Sequence, residues 1–484
     1  LKEERPDVDE KRSDLMKLQG EYRVRLSQLE KSLLQALNDV KGNILDDNTI
    51  LEKLETLKSE AADIGAKFLQ TDQVMEEISA VSNQYNGLAL ACSRIFFALK
   101  QLADLHFMYQ LSLSFFLDIF YGIIRENPEL KGVKGFEERL AILQRSLFRR
   151  TYQRVCVGLL HKDHLAFALR LAQIWLMGSD QDIPQEEMDF FLHSADFVRA
   201  NENSDSSDWY DAEMRLKIHE LVKLTGFENL HSLITENADN AWRMMIEAAS
   251  PEMCIPPEFS SSVDCEKASS AAFRNLLLVK CLRPDRVPGA AALFVQTVFG
   301  EDFLVSEALN LETLVTSVSD PASPIMLCSP PGSDASFLVD ELARRLKLGN
   351  KYRPMAMGSA EGFLEAEKII YSAAKTGNWV LLKNVHLAPF WLIQLEKKLH
   401  SLKAHTGFRL FLTSEIHSAL PKSLLSYGTV IVHEAPPGVR ANVLNTLKSV
   451  SAGKGDVAPI ERSRLHFLVS WFHAVVQERL SYKG

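Results

Sequence analysis

The chain holds 484 residues, 46% of them hydrophobic and 24% charged, which excludes a disordered polyelectrolyte and allows roughly three domains. Its formal net charge of −9 argues against a general binder of nucleic acid or of anionic membranes. Six cysteines, at 92, 156, 254, 265, 281 and 328, show no C-x-x-C spacing, so reduced thiols of a cytosolic protein are expected rather than a disulfide framework.

No secretory signal is present, and the first residues are Leu1-Lys2-Glu3-Glu4-Arg5 rather than Met, so a piece of something longer is expected. In the first eighty-odd residues Leu15, Leu18, Tyr22, Leu26, Leu29, Leu33, Leu37, Val40 and Ile44 recur at spacings of three and four. A break follows at Asp46-Asp47-Asn48, and Thr49-x-x-Glu52 then has the form of a capping box. Beyond it Ile50, Leu54, Leu57, Ala61, Ile64, Phe68, Thr71, Met75, Ile78, Ser82 and Tyr85 alternate by four and three, a coiled-coil seam five heptads long. Two such arms joined by a short acidic turn predict an antiparallel hairpin, the second arm about 50 Å long at 1.5 Å per residue. The plainer reading is two amphipathic helices packed on a globule.

Residues 87–178 are apolar without strand-like alternation, which predicts a small helical domain ending near Met177-Gly178. Within it the window 105–124 is long enough to suggest a membrane span. It carries His106, Gln110 and Asp118, and a buried helix is the expectation. The stretch 201–211 reads as a polar, acidic loop, helix resumes over 212–249, and the paired prolines of CIPPEF (254–259) break it.

After Phe273 the grammar changes. Apolar runs at 325–328, 379–382, 408–412 and 429–432 read as strands, with helices over 337–348, 361–375 and 390–402 between them. That alternation predicts a parallel sheet covered by helices, and the segment from Arg440 to Leu480 is helical again. The fold class is therefore α/β plus all-α.

The first strand leads into Ser329-Pro330-Pro331-Gly332-Ser333-Asp334-Ala335-Ser336 and then a helix, the context a phosphate-binding loop requires. Against G-x-x-x-x-G-K-[ST], only Ser336 survives. Ala335 stands where a Lys would reach the β- and γ-phosphates, and Asp334 brings a negative charge where Gly lets the backbone approach them. Two like charges 4 Å apart repel by about 4 kcal/mol at a surface-like dielectric. The strand at 379–382 should end in an acidic residue that holds Mg²⁺, and it ends in Lys383-Asn384. Two independent losses over an intact strand pattern describe a ruined nucleotide site.

The loop resembles the G-P-P-G-T-G-K-T form of AAA+ ATPases. Its degenerate version, with GSAEGF (358–363), WVLLKNVHLAP (379–389), FRLFLT (408–413) and PPGVRANVL (436–444), resembles the sixth AAA+ module of the dynein heavy-chain family. KRSDLMKLQGEY, LLQALNDVKGNILDD and CLRPDRVP resemble other parts of that family, and LEKKLHS (395–401) its cytoplasmic rather than axonemal forms. The resemblance implies a hairpin over 1–86 like the buttress that braces a microtubule-binding stalk, together with the end of the fifth module's large domain. It implies that module's helical lid over 87–180, a helical lead-in over 181–272, a degenerate AAA+ α/β domain over 273–440 and a C-terminal helical segment over 441–484. Thr413 falls at the family's sensor position, with a structural role expected where there is no γ-phosphate to sense. Implied too are a cytoplasmic, microtubule-associated setting and contacts with neighbouring modules and the stalk. Accessory subunits would join through the parent chain, and Mg-ATP would bind only at other modules. The leading functional expectation is a non-hydrolysing mechanical part of a motor ring. Two alternatives stand beside it, a divergent active ATPase and a coiled-coil adaptor.

Smaller candidates carry plain readings. HKDH (His161, Asp163, His164) has a spacing shorter than the i, i+4 pair that puts two ligand rings on one helix face, no third cluster is evident, and no metal site is expected. Cys254, Cys265 and Cys281 read as small hydrophobes, Arg283 and Arg286 as structural ion pairs before finger-like arginines, and LEKKLH as a solvated helix face.

Overall fold

The computed structural model describes residues 6–38, 48–133, 135–178, 183–192, 212–236, 241–262, 268–305, 311–317, 320–331, 333–358, 360–451 and 460–481. The helices in chain order are α1 (Pro6–Asn38), α2 (Asn48–Asn83), α3 (Asn86–Leu105), α4 (Leu113–Glu126), α5 (Phe136–Cys156), α6 (His161–Leu176) and α7 (Gln185–Leu192). They continue as α8 (Ala212–Val222), α9 (Leu230–Glu236), α10 (Ala241–Glu247), α11 (Pro257–Ser262), α12 (Ala268–Leu282), α13 (Val287–Phe299) and α14 (Leu311–Ser317). From there strands and helices alternate: β1 (Ile325–Ser329), α15 (Ser336–Arg345), β2 (Tyr352–Ala356), α16 (Ala360–Thr376), β3 (Trp379–Lys383), α17 (Pro389–His400), β4 (Arg409–Glu415), α18 (Lys422–Tyr427) and β5 (Thr429–Val432). Helices α19 (Val439–Ser451) and α20 (Ile460–Ser481) close the chain. It divides into two units, residues 1–93 with 121–145, and residues 94–120 with 146–484.

In the first unit α1 and α2 pack along one another, and Gln19 donates to Asp72 at 3.0 Å. On α2, Thr71 and Ile78 are buried and Ala61, Ile64, Phe68 and Met75 half-buried, whereas Lys58, Glu60 and Lys67 are exposed; Tyr85, half-buried, lies in the turn beyond the end of α2, so the expected seam outruns the helix. On α1, Leu15, Tyr22 and Leu26 are half-buried and Leu29 is buried, but Leu18 is exposed. The side chains of Leu33, Leu37, Thr49, Ile50, Glu52, Leu54, Leu57 and Ser82, and residues Val40, Ile44, Asp46 and Asp47, lie outside what the structure describes.

The second unit is built on a five-stranded sheet of order β2-β3-β4-β1-β5, every pair parallel. Strand β1 is buried along its whole length because it has strands on both sides and helices on both faces, so its apolar run shows no alternation. Residues Leu327, Ala335, Val339, Leu381, Phe411 and Ile431 share one core between sheet and helices. Gly428 lets β5 start tightly against this sheet, since a Cβ there would lie 2.8 Å from the Pro324 carbonyl oxygen. A second core joins α5, α6 and α13 through Phe148, Trp175 and Phe299, with Phe299 stacked on Phe303 at 4.2 Å.

Three expectations fail here. The helix expected over 212–249 is three, α8, α9 and α10, with a turn at Gly226 (φ 91°) after the first. The window 105–124 is not one helix, because α3 ends at Leu105 and α4 begins only at Leu113. His106 Nδ1 accepts the Met108 N–H at 3.3 Å in the intervening turn, and Ser112 Oγ caps α4 by accepting the Phe115 N–H at 3.2 Å. Tyr109 is pinned in that turn, donating to Asp163 at 2.5 Å and accepting the Leu160 N–H at 3.1 Å. Among the described residues no helix is long and apolar enough to cross a membrane. Strand β2 was not anticipated either. Its sequence, YRPMA, has an exposed middle and a proline, which suits an edge strand paired on one side only.

Candidate functional site

The loop and the ends of β1, β3 and β4 meet at the carboxyl edge of the sheet, where open α/β sheets bind ligands. Ser329 Oγ donates to the Ser333 carbonyl oxygen at 2.7 Å, and the Ser333 N–H donates to that of Pro330 at 3.1 Å. Gly332 lies outside the described residues; Pro331, Ser333 and Asp334 are exposed. Ala335 is fully buried, its methyl group part of the sheet–helix core rather than facing an anion.

The first turn of α15 is satisfied from within. Asp334 Oδ1 accepts the Ser336 N–H at 2.9 Å, and its Oδ2 accepts the Ser336 hydroxyl at 2.6 Å. A bound phosphate needs such a helix-terminal N–H, and Mg²⁺ needs that hydroxyl. Both are taken by a carboxylate of the loop itself. His433 flanks the same turn: its N–H donates to the Cys328 carbonyl oxygen at 2.8 Å and its ring meets Phe337 edge-on at 5.6 Å. Burial holds that imidazole below its ordinary pKa, against the upward pull of Asp334.

On the facing strand Lys383 Nζ lies 3.0 Å from Asp340 Oδ2 on α15, and the Tyr352 hydroxyl donates to Asp340 Oδ1 at 2.6 Å. Burial pushes the Asp340 carboxyl upward, but the hydrogen bonds from Tyr352 and Lys383 and the nearby positive charges outweigh it, and the net shift is downward. Asn384 follows at φ 59°, a left-handed conformation Asn tolerates, and turns the chain out of the strand. Its N–H donates to Thr413 Oγ1 at 3.3 Å, so the sensor-position hydroxyl, buried in β4, holds this turn. The next residue but one on β4, Glu415, gives its N–H to His386 Nδ1 at 3.1 Å. These groups do not fit Mg-ATP: no ammonium reaches the loop from position 335, the Ser336 donors are committed, and a cation paired to Asp340 stands where the metal-binding carboxylate belongs.

Sequence reasoning singled out the loop, Lys383, Asn384 and Thr413 and did not point to Asp340 or Tyr352, which the structure brings beside Lys383. Asp340 lies one helical turn beyond Ser336, the only hint available; the pairing with Lys383 exists only once β3 lies beside α15.

The remaining candidates sit in varied surroundings. His161 gives its N–H to Glu434 at 2.8 Å, His164 Nε2 meets the Leu159 carbonyl oxygen at 3.2 Å, and no His/Cys/Asp/Glu group among the described residues is arranged for a metal. Arg283 holds Asp285 through two 2.8 Å bonds and also binds the Ile246 carbonyl, while Arg286 pairs with Glu252 at 2.6 Å. Cys281 is buried, its thiol pushed up to about 12 by desolvation, as a small hydrophobe should be. Cys254 is exposed, which corrects that reading for it: it follows a 3₁₀ turn started by Pro251 rather than facing a core. Cys265 lies outside the described residues. In LEKKLH, Leu395 and Leu399 are buried, Lys397 is exposed, and Lys398 pairs with Glu367 at 2.6 Å.

Comparison with known proteins shows the family. Residues 320–432 match the family model described as the dynein heavy chain region D6 P-loop domain, and residues 1–64 match the ATP-binding dynein motor region. All of the chain aligns with cytoplasmic dynein heavy chains of Drosophila melanogaster at 48% identity and Dictyostelium discoideum at 45%. It also aligns with the cytoplasmic dynein 2 heavy chain 1 of Chlamydomonas reinhardtii at 31%. In each case it covers only 10% or 11% of the relative. Matched over residues 1–64 and 320–432 by two models of one family, and aligned along its whole length to members of that family, the chain belongs to the dynein heavy chains and spans about a tenth of their length.

Proposed function

We propose that this segment is a non-hydrolysing mechanical part of a dynein motor ring, one that relays movement of the ring to a microtubule-binding stalk in a cytoplasmic, ATP-driven motor. The observation that carries the reading is the commitment of the Ser336 N–H and hydroxyl to Asp334. The half-buried stripe on α2 supports a coiled-coil hairpin over 1–86 acting as a buttress. In this reading 87–180 is the lid of the fifth module, 181–272 a helical lead-in, 273–440 the degenerate sixth module and 441–484 a C-terminal helical segment. Neighbouring modules and the stalk of the same heavy chain are its partners, accessory subunits join through the parent chain, and Mg-ATP binds at other modules.

Calorimetric titration of Mg-ATP into the 484-residue chain should give no binding tighter than about millimolar, near −4 kcal/mol. Saturable micromolar binding, abolished by a bulky side chain at Gly332, would restore the alternative of a divergent ATPase.

Restoring the missing lysine should not restore the enzyme. Ala335→Lys is expected to show no turnover above the uncatalysed background, because Asp334 still opposes phosphate and Lys383 still occupies the metal-ligand position. Since Ala335 is fully buried, the variant should also lose stability, about 1–3 kcal/mol for overpacking. A phosphate-release assay alongside thermal unfolding checks both.

A further inference from the structure

In a working site, Mg²⁺ joins the loop's Ser/Thr to the acidic end of the facing strand, so the helix after the loop and the strand are tied only when nucleotide is bound. Here the same two elements are joined by side chains. Asp340 on α15 takes Lys383 from the end of β3 on one oxygen and Tyr352 from the start of β2 on the other. Lys383 and Asp340 are about one-quarter to one-third exposed, at 27% and 32%, so the pair is half-shielded from water and not a loose surface contact. The two donors approach from opposite ends of neighbouring strands, since Tyr352 registers with Trp379 and Ala356 with Lys383. One carboxylate therefore spans the edge pair of the sheet lengthwise.

We infer that the Asp340–Lys383–Tyr352 group is a built-in staple that replaces the nucleotide link, holding α15 on the β2–β3 edge in one conformation whatever the nucleotide state of the rest of the motor. The inference rests on the non-hydrolysing reading above and adds to it what fixes the dead site. An empty loop without such a tie would let α15 shift with each cycle; a stapled one passes motion on as a solid block.

Hydrogen exchange of the full-length heavy chain, read by mass spectrometry in the presence and absence of Mg-ATP, tests it. Lys383→Met should speed exchange of the α15 amides at least tenfold while leaving α12 unchanged, and Lys383→Arg, which keeps the charge, should stay within twofold of wild type. If Lys383→Met also loosens α12, Asp340→Asn, close in shape and without charge, takes its place with the same expectation. Exchange in α15 within twofold of wild type for both Lys383→Met and Asp340→Asn overturns the staple. Wild-type α15 exchange that changes more than twofold with Mg-ATP also overturns the staple, whereas saturable micromolar Mg-ATP binding to the 484-residue chain in calorimetry overturns the non-hydrolysing reading, so the two failures are told apart by separate measurements.

Discussion

Replacing Arg274 with methionine should destabilise the second unit by about 3–5 kcal/mol, the range for removing one partner of a buried ion pair. Arg274 Nε donates to Glu187 Oε1 at 2.9 Å, linking α12 to α7, with the Glu187 side chain only 2% exposed and that of Arg274 14%. The guanidinium is fitted between Phe227, whose ring centroid lies 5.7 Å away, and Gly226 at φ 91°, where a Cβ would come within 2.5 Å of it. Burial raises the Glu187 carboxyl above the ordinary range even with the charge and hydrogen bond of Arg274 pulling it down. Without Arg274 the shift grows. A carboxyl whose folded pKa is raised binds its proton more tightly in the fold, so the stability of the variant falls as pH rises from the unfolded carboxylate range through the folded value. The penalty should accordingly be smaller at about pH 5 than at about pH 8. Adding Glu187→Gln removes the stranded charge and should recover about half of the loss. Urea unfolding followed by tryptophan fluorescence checks this, because Trp242 is fully buried beside Phe259, which contacts Phe227. A loss below about 1 kcal/mol would mean that water reaches Glu187 and the pair behaves as a surface one.

What could be read without coordinates followed from how strongly local pattern dictates structure. Strands β1, β3 and β4 are short apolar runs because their middles are buried, β5 is an edge strand with only Ile431 buried, and the helices between the strands end within a few residues of their expected bounds. Strand β2 could not be read, since an edge strand with an exposed middle and Pro354 owes its existence to pairing with β3 rather than to its own composition. Nor could the break in 105–124, where Ser112 as a cap and Tyr109 as an anchor outweigh continuous hydrophobicity. At the site, the departures from the phosphate-loop pattern were legible and the partners of the departing residues were not. Asp334, Ala335, Lys383 and Asn384 each contradict a known requirement of phosphate chemistry, so their identities suffice. That Asp334 turns back on Ser336 and that Lys383 reaches Asp340 are facts of three dimensions, which no spacing of residues encodes.

Inserting two glycines after Ala62 in α2 should uncouple ATP hydrolysis from microtubules in the full-length motor, lowering microtubule stimulation several-fold toward the basal rate while leaving nucleotide binding at the distant main site intact. Each glycine in a helix interior costs about 1 kcal/mol relative to alanine. The larger effect is geometric, because two extra residues rotate everything beyond them by about 200°. The stripe of Ile64, Phe68, Thr71, Met75 and Ile78, which now faces inward, would turn toward solvent, and exposed positions such as Gln73 and Glu76 toward α1. A coiled coil tolerates no such shift without losing its seam, and a lever that bends at its middle cannot transmit force. Lys58→Gln, at an exposed position of the same helix, should change stimulation by less than about twofold, since surface substitutions away from packing contacts shift stability by only about 0.5 kcal/mol. The decisive measurement is the ATPase rate with and without microtubules, alongside stepping of single motors. Wild-type stimulation and stepping in the glycine-insertion variant would mean that α1 and α2 are a scaffold that carries no motion, and the mechanical role proposed for the hairpin would have to be given up.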